Sequence, residues 1–142
     1  MESDKLDALG PLMNDIGLEL ADLVGGDPNG IFLYVEIGDG WVRPSLYKDE
    51  GDIVRWYDPS GMALSELLWD AWYLESDEPN MRWSVLEYSI TGKKFHVSLK
   101  YPEEVNVDVL DDDRREAALR ARFGDKPVVY PPMPKGSFEL KP

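Results

Sequence analysis

The sequence predicts an α+β domain: an antiparallel sheet of about five strands, a meander plus a hairpin over 83–101, with helices packed on it. Three observations lead there. The stretch 83–101, WSVLEYSITGKKFHVSLKY, folds back at Gly92-Lys93 so that Ile90 meets Phe95, Tyr88 meets Val97 and Leu86 meets Leu99. Strand side chains alternate between faces, so these six share one side, leaving Ser84, His96, Ser98 and Lys100 at wetter positions. The runs 31–37, 41–47 and 53–57 are rich in β-branched and aromatic residues, and Gly38-Asp39-Gly40 and Asp49-Glu50-Gly51-Asp52 between them are turn chemistry. Elsewhere apolar residues recur at helical spacing, which supplies the cover that a one-faced sheet requires.

In chain order, Leu6 and Leu9 have helical spacing, but Gly10-Pro11 interrupts it, because proline lacks a backbone donor and pushes the preceding residue out of the α region. The first main helix is therefore expected from Pro11 to Val24, with Leu12, Met13, Ile16, Leu20, Leu23 and Val24 inward. Gly25-Gly26 and Asp27-Pro28 stop it. Pro44 marks an edge or a bulge in the second strand. Successive hairpins form a meander, which the hairpin over 83–101 extends. Gly92 supplies the positive φ that a two-residue loop needs.

The second helix is expected from Pro59 or Met62 to Glu75, capped by Asp58 or Ser60. At 100° per residue, Leu64, Leu67, Leu68, Ala71, Trp72 and Leu74 turn inward. Met62, Glu66, Trp69 and Tyr73 turn outward with Asp70 beside them. Two large aromatics among acids are anomalous on a solvent face, so either a partner or the 128–133 tail, VVYPPM, covers them. Residues 105–110 read as a strand or a connector. A last helix spans 112–123, with Asp111, Asp112 and Asp113 at its positive end and Arg120 and Arg122 at its negative end. The core covers about 11–124 of a single domain, 1–142, and 125–142 is a proline-rich strap or mobile end.

Charge is the strongest compositional signal: 28 acidic residues face 15 basic ones, a net charge of -13. Between Glu36 and Glu78 eleven acids stand against Arg43, Lys48 and Arg55, a local net of -8. Such a field argues against direct nucleic-acid binding, which needs a basic footprint, and favours basic partners. No apolar run has the length of a membrane span, the N-terminus lacks a signal-peptide pattern, and there is no cysteine. A cytoplasmic bacterial protein fits these features.

Catalytic chemistry finds little footing. His96 is the single histidine, sits mid-strand and has no nucleophile elbow beside it. Gly25-Gly26 follows a helix instead of preceding one, unlike a phosphate cradle. The three aspartates at 111–113 read as dipole partners in preference to a cation site. The reading is therefore non-enzymatic, with no catalytic residues, cofactor or metal. The surface assigned to a partner is Glu66, Trp69, Asp70 and Tyr73 on the second helix, together with Asp49, Glu50 and Asp52 of the acidic turn.

Several of these features together resemble the YezG-like family of bacterial immunity proteins, the antitoxins of polymorphic toxins. They are IFLYVEI at 31–37, a second strand ending in Leu46-Tyr47, the Leu/Trp-rich helix at 64–74, and Trp83 opening a strand. Gly92-Lys93-Lys94-Phe95, Tyr101 followed by acids, Arg114 or Arg115, and Arg122-Phe123-Gly124 complete the pattern over about 12–124. The proline-rich tail and the short second helix depart from it. The resemblance implies neutralisation of a cognate toxin, often a nuclease, by stoichiometric binding in the cytoplasm, and lends no active-site residues. A basic toxin suits an acidic inhibitor. Two other classes stay open: a small enzyme or ligand-binding domain using carboxylates in a cleft, and a structural homo-oligomeric subunit.

Overall fold

The computed structural model describes residues 2–74 and 82–131, with the backbone alone over 2–8. In chain order the elements are α1 (Glu2–Leu23), β1 (Ile31–Gly38), β2 (Trp41–Asp49), β3 (Val54–Tyr57), α2 (Met62–Tyr73), β4 (Val85–Thr91) and β5 (Lys94–Lys100). A 3-10 turn (Pro102–Glu104), α3 (Asp111–Phe123) and β6 (Val128–Val129) follow. The class is α+β as predicted, with six strands among the described residues in the order β5-β4-β1-β2-β3-β6. All neighbours are antiparallel except β3 and β6, which run parallel.

The β4–β5 hairpin has the predicted register, pairing Ile90 with Phe95, Tyr88 with Val97 and Leu86 with Leu99 around Gly92 at φ 63°. Its place in the sheet differs from a simple extension of the meander. β4 pairs with β1, on the side away from β2, and not with β3. The reason lies in β1 itself: Ile31 to Ile37 are buried without exception, so both faces and both edges of this strand need cover.

Alternation along β1 divides the core in two. Ile31, Leu33, Val35 and Ile37 face α1 and α2, joined by Leu86, Tyr88 and Ile90 of β4 and Met13, Ile16, Leu20, Leu64, Leu68 and Trp72 of the helices. Phe32 and Tyr34 face the other way, with Tyr47, Val54, Val85 and Leu119, so α3 covers the second face. The molecule is thus a three-layer stack with its sheet in the middle.

Three local expectations are corrected. α1 runs straight through Gly10-Pro11 instead of starting there. Gly10 carries no Cβ to meet the proline ring, and both residues are exposed, so the ring meets no packed neighbour there. Neither Asp58 nor Ser60 caps α2; the cap position is Gly61, and the Asp58 carboxylate instead accepts from the Ser60 N–H at 2.8 Å. The helix stops at Tyr73, and the predicted end at Glu75 lies outside the described residues. Residues 105–110 form turns, so of the two readings, strand or connector, it is the connector that the structure shows.

Pro44 is explained by the sheet. β2 is internal over Leu46–Asp49, where β3 pairs with it, but Pro44 lies past the end of β3 and faces a partner only across Val35 of β1. Its missing donor therefore costs no ladder bond. In the tail, Val128 and Val129 extend the sheet beside Val54 and Arg55, and Tyr130 meets Trp56 at 6.1 Å.

Candidate functional site

α2 packs on the same face of the sheet as α1, and its two sides differ in kind. Leu64, Leu68, Ala71 and Trp72 are buried, as the spacing predicts. The C-terminal end is fixed by two indoles: Trp72 Nε1 donates to the Trp83 carbonyl at 2.9 Å, and Trp83 Nε1 donates to the Ala71 carbonyl at 3.5 Å. These bonds hold the last turn against the start of β4 and orient what lies outside.

Glu66, Trp69, Asp70 and Tyr73 form one stripe on the outer side, at the i, i+3, i+4, i+7 spacing of a helix face. Trp69 is half-buried, packed against the core, and stacks on Tyr73 with ring centroids 5.9 Å apart. Trp72 meets both rings edge-on, at 5.4 Å and 5.2 Å. The Arg82 guanidinium sits 4.5 Å from the Trp72 ring and 4.9 Å from that of Tyr73. Tyr73 remains 57% exposed, and Glu66 and Asp70 are exposed with no ion pair among the described residues. An exposed aromatic beside acids without an ion pair is the composition of a contact centre with charged neighbours.

The tail does not cover this stripe over its described part. Val128 and Val129 pair with β3, and Tyr130 lies on Trp56, on the α3 side of the sheet. Pro132 and Met133 lie outside the described residues, as do Glu75, Asp77 and Glu78 of the acidic window.

The acidic turn stands apart from the stripe. Asp49 ends β2 and Glu50 and Asp52 occupy the loop before β3, whereas α2 begins after β3, so a strand separates the two groups along the chain. Two of the three acids are engaged at home. Lys126 Nζ donates to both Asp49 carboxylate oxygens at 2.9 Å, and that bond, with a second from the Gly51 N–H, holds the Asp49 carboxyl below its ordinary range. Arg55 donates to Glu50 at 2.9 Å, and the Tyr57 hydroxyl donates to the other oxygen at 3.4 Å. Asp52 is exposed. The turn is thus largely a set of internal pairs, and the stripe on α2 carries the open charge.

Sequence reasoning overlooked a third cluster. Glu36 is buried on the α3 face of β1, where Arg114 of α3 grips it through Nε at 3.0 Å and Nη2 at 2.7 Å. The Tyr34 hydroxyl adds a donor to the same carboxylate at 2.6 Å. Burial, with that bond to a carboxylate, pushes the Tyr34 phenol well above its ordinary range. Arg114 Nη1 also donates to the carbonyls of Asn106 and Val109, so the arginine ties α3 to the connector that precedes it. The signal was present: Glu36 is the one charged residue in IFLYVEI, with a tyrosine two positions earlier on the same face.

A groove of about 380 Å³ beside this cluster includes Tyr34, Glu87, Lys100, Glu104, Asp113 and Arg114 in its lining. Most of its charges are already used: Lys100 meets Glu87 at 3.7 Å, and Glu104 accepts from the Tyr101 N–H at 3.0 Å. At the start of α3, Asp111 pairs with Arg43 and accepts from the Asp112 N–H, and Arg115 meets Asp112 at 3.3 Å. No cluster with metal-ligand composition occurs among the described residues, and His96 is exposed on β5. Among the described residues no helix is long and apolar enough to cross a membrane. Comparison with protein-family models gives no match, and comparison with curated proteins gives none.

Proposed function

We propose that the protein is a bacterial immunity protein, an antitoxin that binds a cognate basic toxin of nuclease type and occupies it without transforming it. The observation that carries this reading is the stripe of α2: Tyr73, exposed and stacked on Trp69, ends a row that also holds Glu66 and Asp70, which have no ion pair among the described residues. A toxin surface built to hold phosphates is cationic, and an acidic face with an aromatic centre complements it. The net charge of -13 adds steering on approach. Cytoplasmic residence belongs to the same proposal, since the inhibitor must meet the toxin where its substrate is.

The test pairs this chain with the product of the gene immediately upstream. That product, expressed alone, should arrest growth, and co-expression of this chain should restore it. The purified pair should form a stoichiometric complex whose affinity falls as salt rises, because rim charges act through a screened field. Tyr73→Ala combined with Asp70→Lys should lose both rescue and complex. Rescue that survives this double variant, or an affinity indifferent to salt, would overturn the proposed surface.

A further inference from the structure

We infer that the outer edge of β5 is a docking site for an extended segment of a partner protein in which apolar and acidic residues alternate. The position comes first. β5 ends the sheet, and among the described residues no strand pairs with its outer side. Its free backbone groups follow from the hairpin. The Ile90 carbonyl accepts from the Gly30 N–H at 3.0 Å, on the β1 side, so Ile90 and its partner Phe95 are a non-hydrogen-bonded pair across β4 and β5. By alternation Phe95, Val97 and Leu99 turn their N–H and C=O groups outward, three donors and three acceptors along seven residues. This is the row of groups an added strand requires.

The two faces of that edge say what kind of strand fits. On the α1 side Phe95 is 40% exposed, and Leu18 of α1, near it across a cavity of about 210 Å³, is 64% exposed. Alternate side chains of a guest strand would lie against these two. On the other side Lys94, His96 and Lys100 point away from the apolar face, and all are exposed. Residues 92–101 hold three lysines and no acid, in a chain of 28 acidic residues. Lys100 is partly answered by Glu87 at 3.7 Å, whereas no ion pair involves Lys93 or Lys94 among the described residues. The guest is therefore acidic on this side. At physiological salt fields fade over about 8 Å, so at contact the local lysines outweigh the distant acids.

A second copy of the chain fits poorly. Full antiparallel pairing of two β5 edges about Val97 sets Lys94 opposite Lys100 of the other copy, and like charges directly opposite are destabilising. The lysines thus discourage self-association while leaving the edge open to an anionic strand.

The probe is a capped, fluorescently labelled heptapeptide alternating valine and glutamate, followed by anisotropy, with an alternating valine–lysine peptide for comparison. The glutamate peptide should bind about tenfold more tightly than the lysine peptide, with amide shifts concentrated at residues 94–100. Val97→Pro removes an outward donor and no ladder bond, so it should weaken binding by about tenfold while the thermal melt stays cooperative. Lys94→Glu with His96→Glu serves if the proline variant does not fold, and should reverse the peptide preference. Absence of binding by either peptide, equal binding of both, or affinity untouched by both variants would overturn the inference. So would a concentration-dependent dimer abolished by Val97→Pro. No toxin is needed, so this outcome is independent of the stripe on α2.

Discussion

The hydroxyl of Tyr88 stands where any side chain at position 17 would begin: a Cβ added to Gly17 would fall 2.6 Å from that oxygen. The hydroxyl is there because it donates to the Met13 carbonyl at 2.7 Å, pinning α1 to β4. Gly17 is otherwise an ordinary helix position, where alanine is favoured by about 1 kcal/mol. Gly17→Ala should nevertheless destabilise the protein by about 1–2 kcal/mol, since the crowding exceeds the propensity gain. In a Tyr88→Phe background the nearest ring atom is at ordinary contact distance, 3.7 Å, so the same substitution should become neutral or stabilising. Denaturant unfolding of the four proteins checks this reversal of sign.

The buried Glu36–Arg114 pair should behave asymmetrically. Arg114→Met leaves a carboxylate that is 6% exposed without its cation, and should cost about 3 kcal/mol. Adding Glu36→Gln, which removes the stranded charge and keeps an acceptor for Tyr34, should recover a large part of the loss. Thermal melts of the single and double variants measure the difference.

Lowering the pH should loosen the junction between Lys126 and the acidic turn. The Asp49 carboxyl is held below its ordinary range when folded, so its contribution is present above the unfolded pKa of about 4 and is lost as pH falls through the folded value. Both side chains are about one-third exposed, which limits the contribution to about 0.5 kcal/mol. Asp49→Asn should flatten the stability curve below about pH 4 by that amount in denaturant titrations.

Alkaline conditions should reach Tyr88 late. Burial pushes its phenol up to about 12, so its folded pKa lies above the unfolded value near 10. Its contribution is complete below the unfolded value and is lost as pH rises through the folded one. Tyr88→Phe should remove that alkaline loss and cost about 1 kcal/mol at neutral pH through the hydrogen bond to Met13.

Of the two stacked aromatics on α2, Tyr73 is the cleaner probe of partner binding. Trp69 packs against the core, so Trp69→Ala should lower stability as well as affinity. Tyr73→Ala should leave the melting temperature within a few degrees and cost about 2 kcal/mol in affinity for the proposed toxin partner. Calorimetry of folding and of binding separates the two.

Much of the fold was legible in local pattern. The hairpin register followed from alternation and one glycine, and the inward side of α2 followed from spacing. What escaped was set by tertiary cover. Pro11 reads as a helix start because its missing donor is normally a defect, yet at an exposed position after a glycine the helix runs through it. The partner of β4 was invisible in β4; it was encoded in the uninterrupted burial of β1, a strand with two faces to fill. The acidic turn looked like a surface for others because charge counting does not reveal that Lys126, remote in sequence, arrives beside Asp49. The same blindness hid Arg114, whose partner Glu36 sits 78 positions away.

The position of β1 also governs when the chain can mature. Phe32 waits for its neighbour Ser89 on one side, while Tyr47 reaches it early on the other. During synthesis β1–β2–β3 can assemble first, and until β4 leaves the ribosome the most apolar strand of the protein keeps one long border open. Docking of the second hairpin closes that border, and premature association of half-made chains along it is the hazard this topology carries.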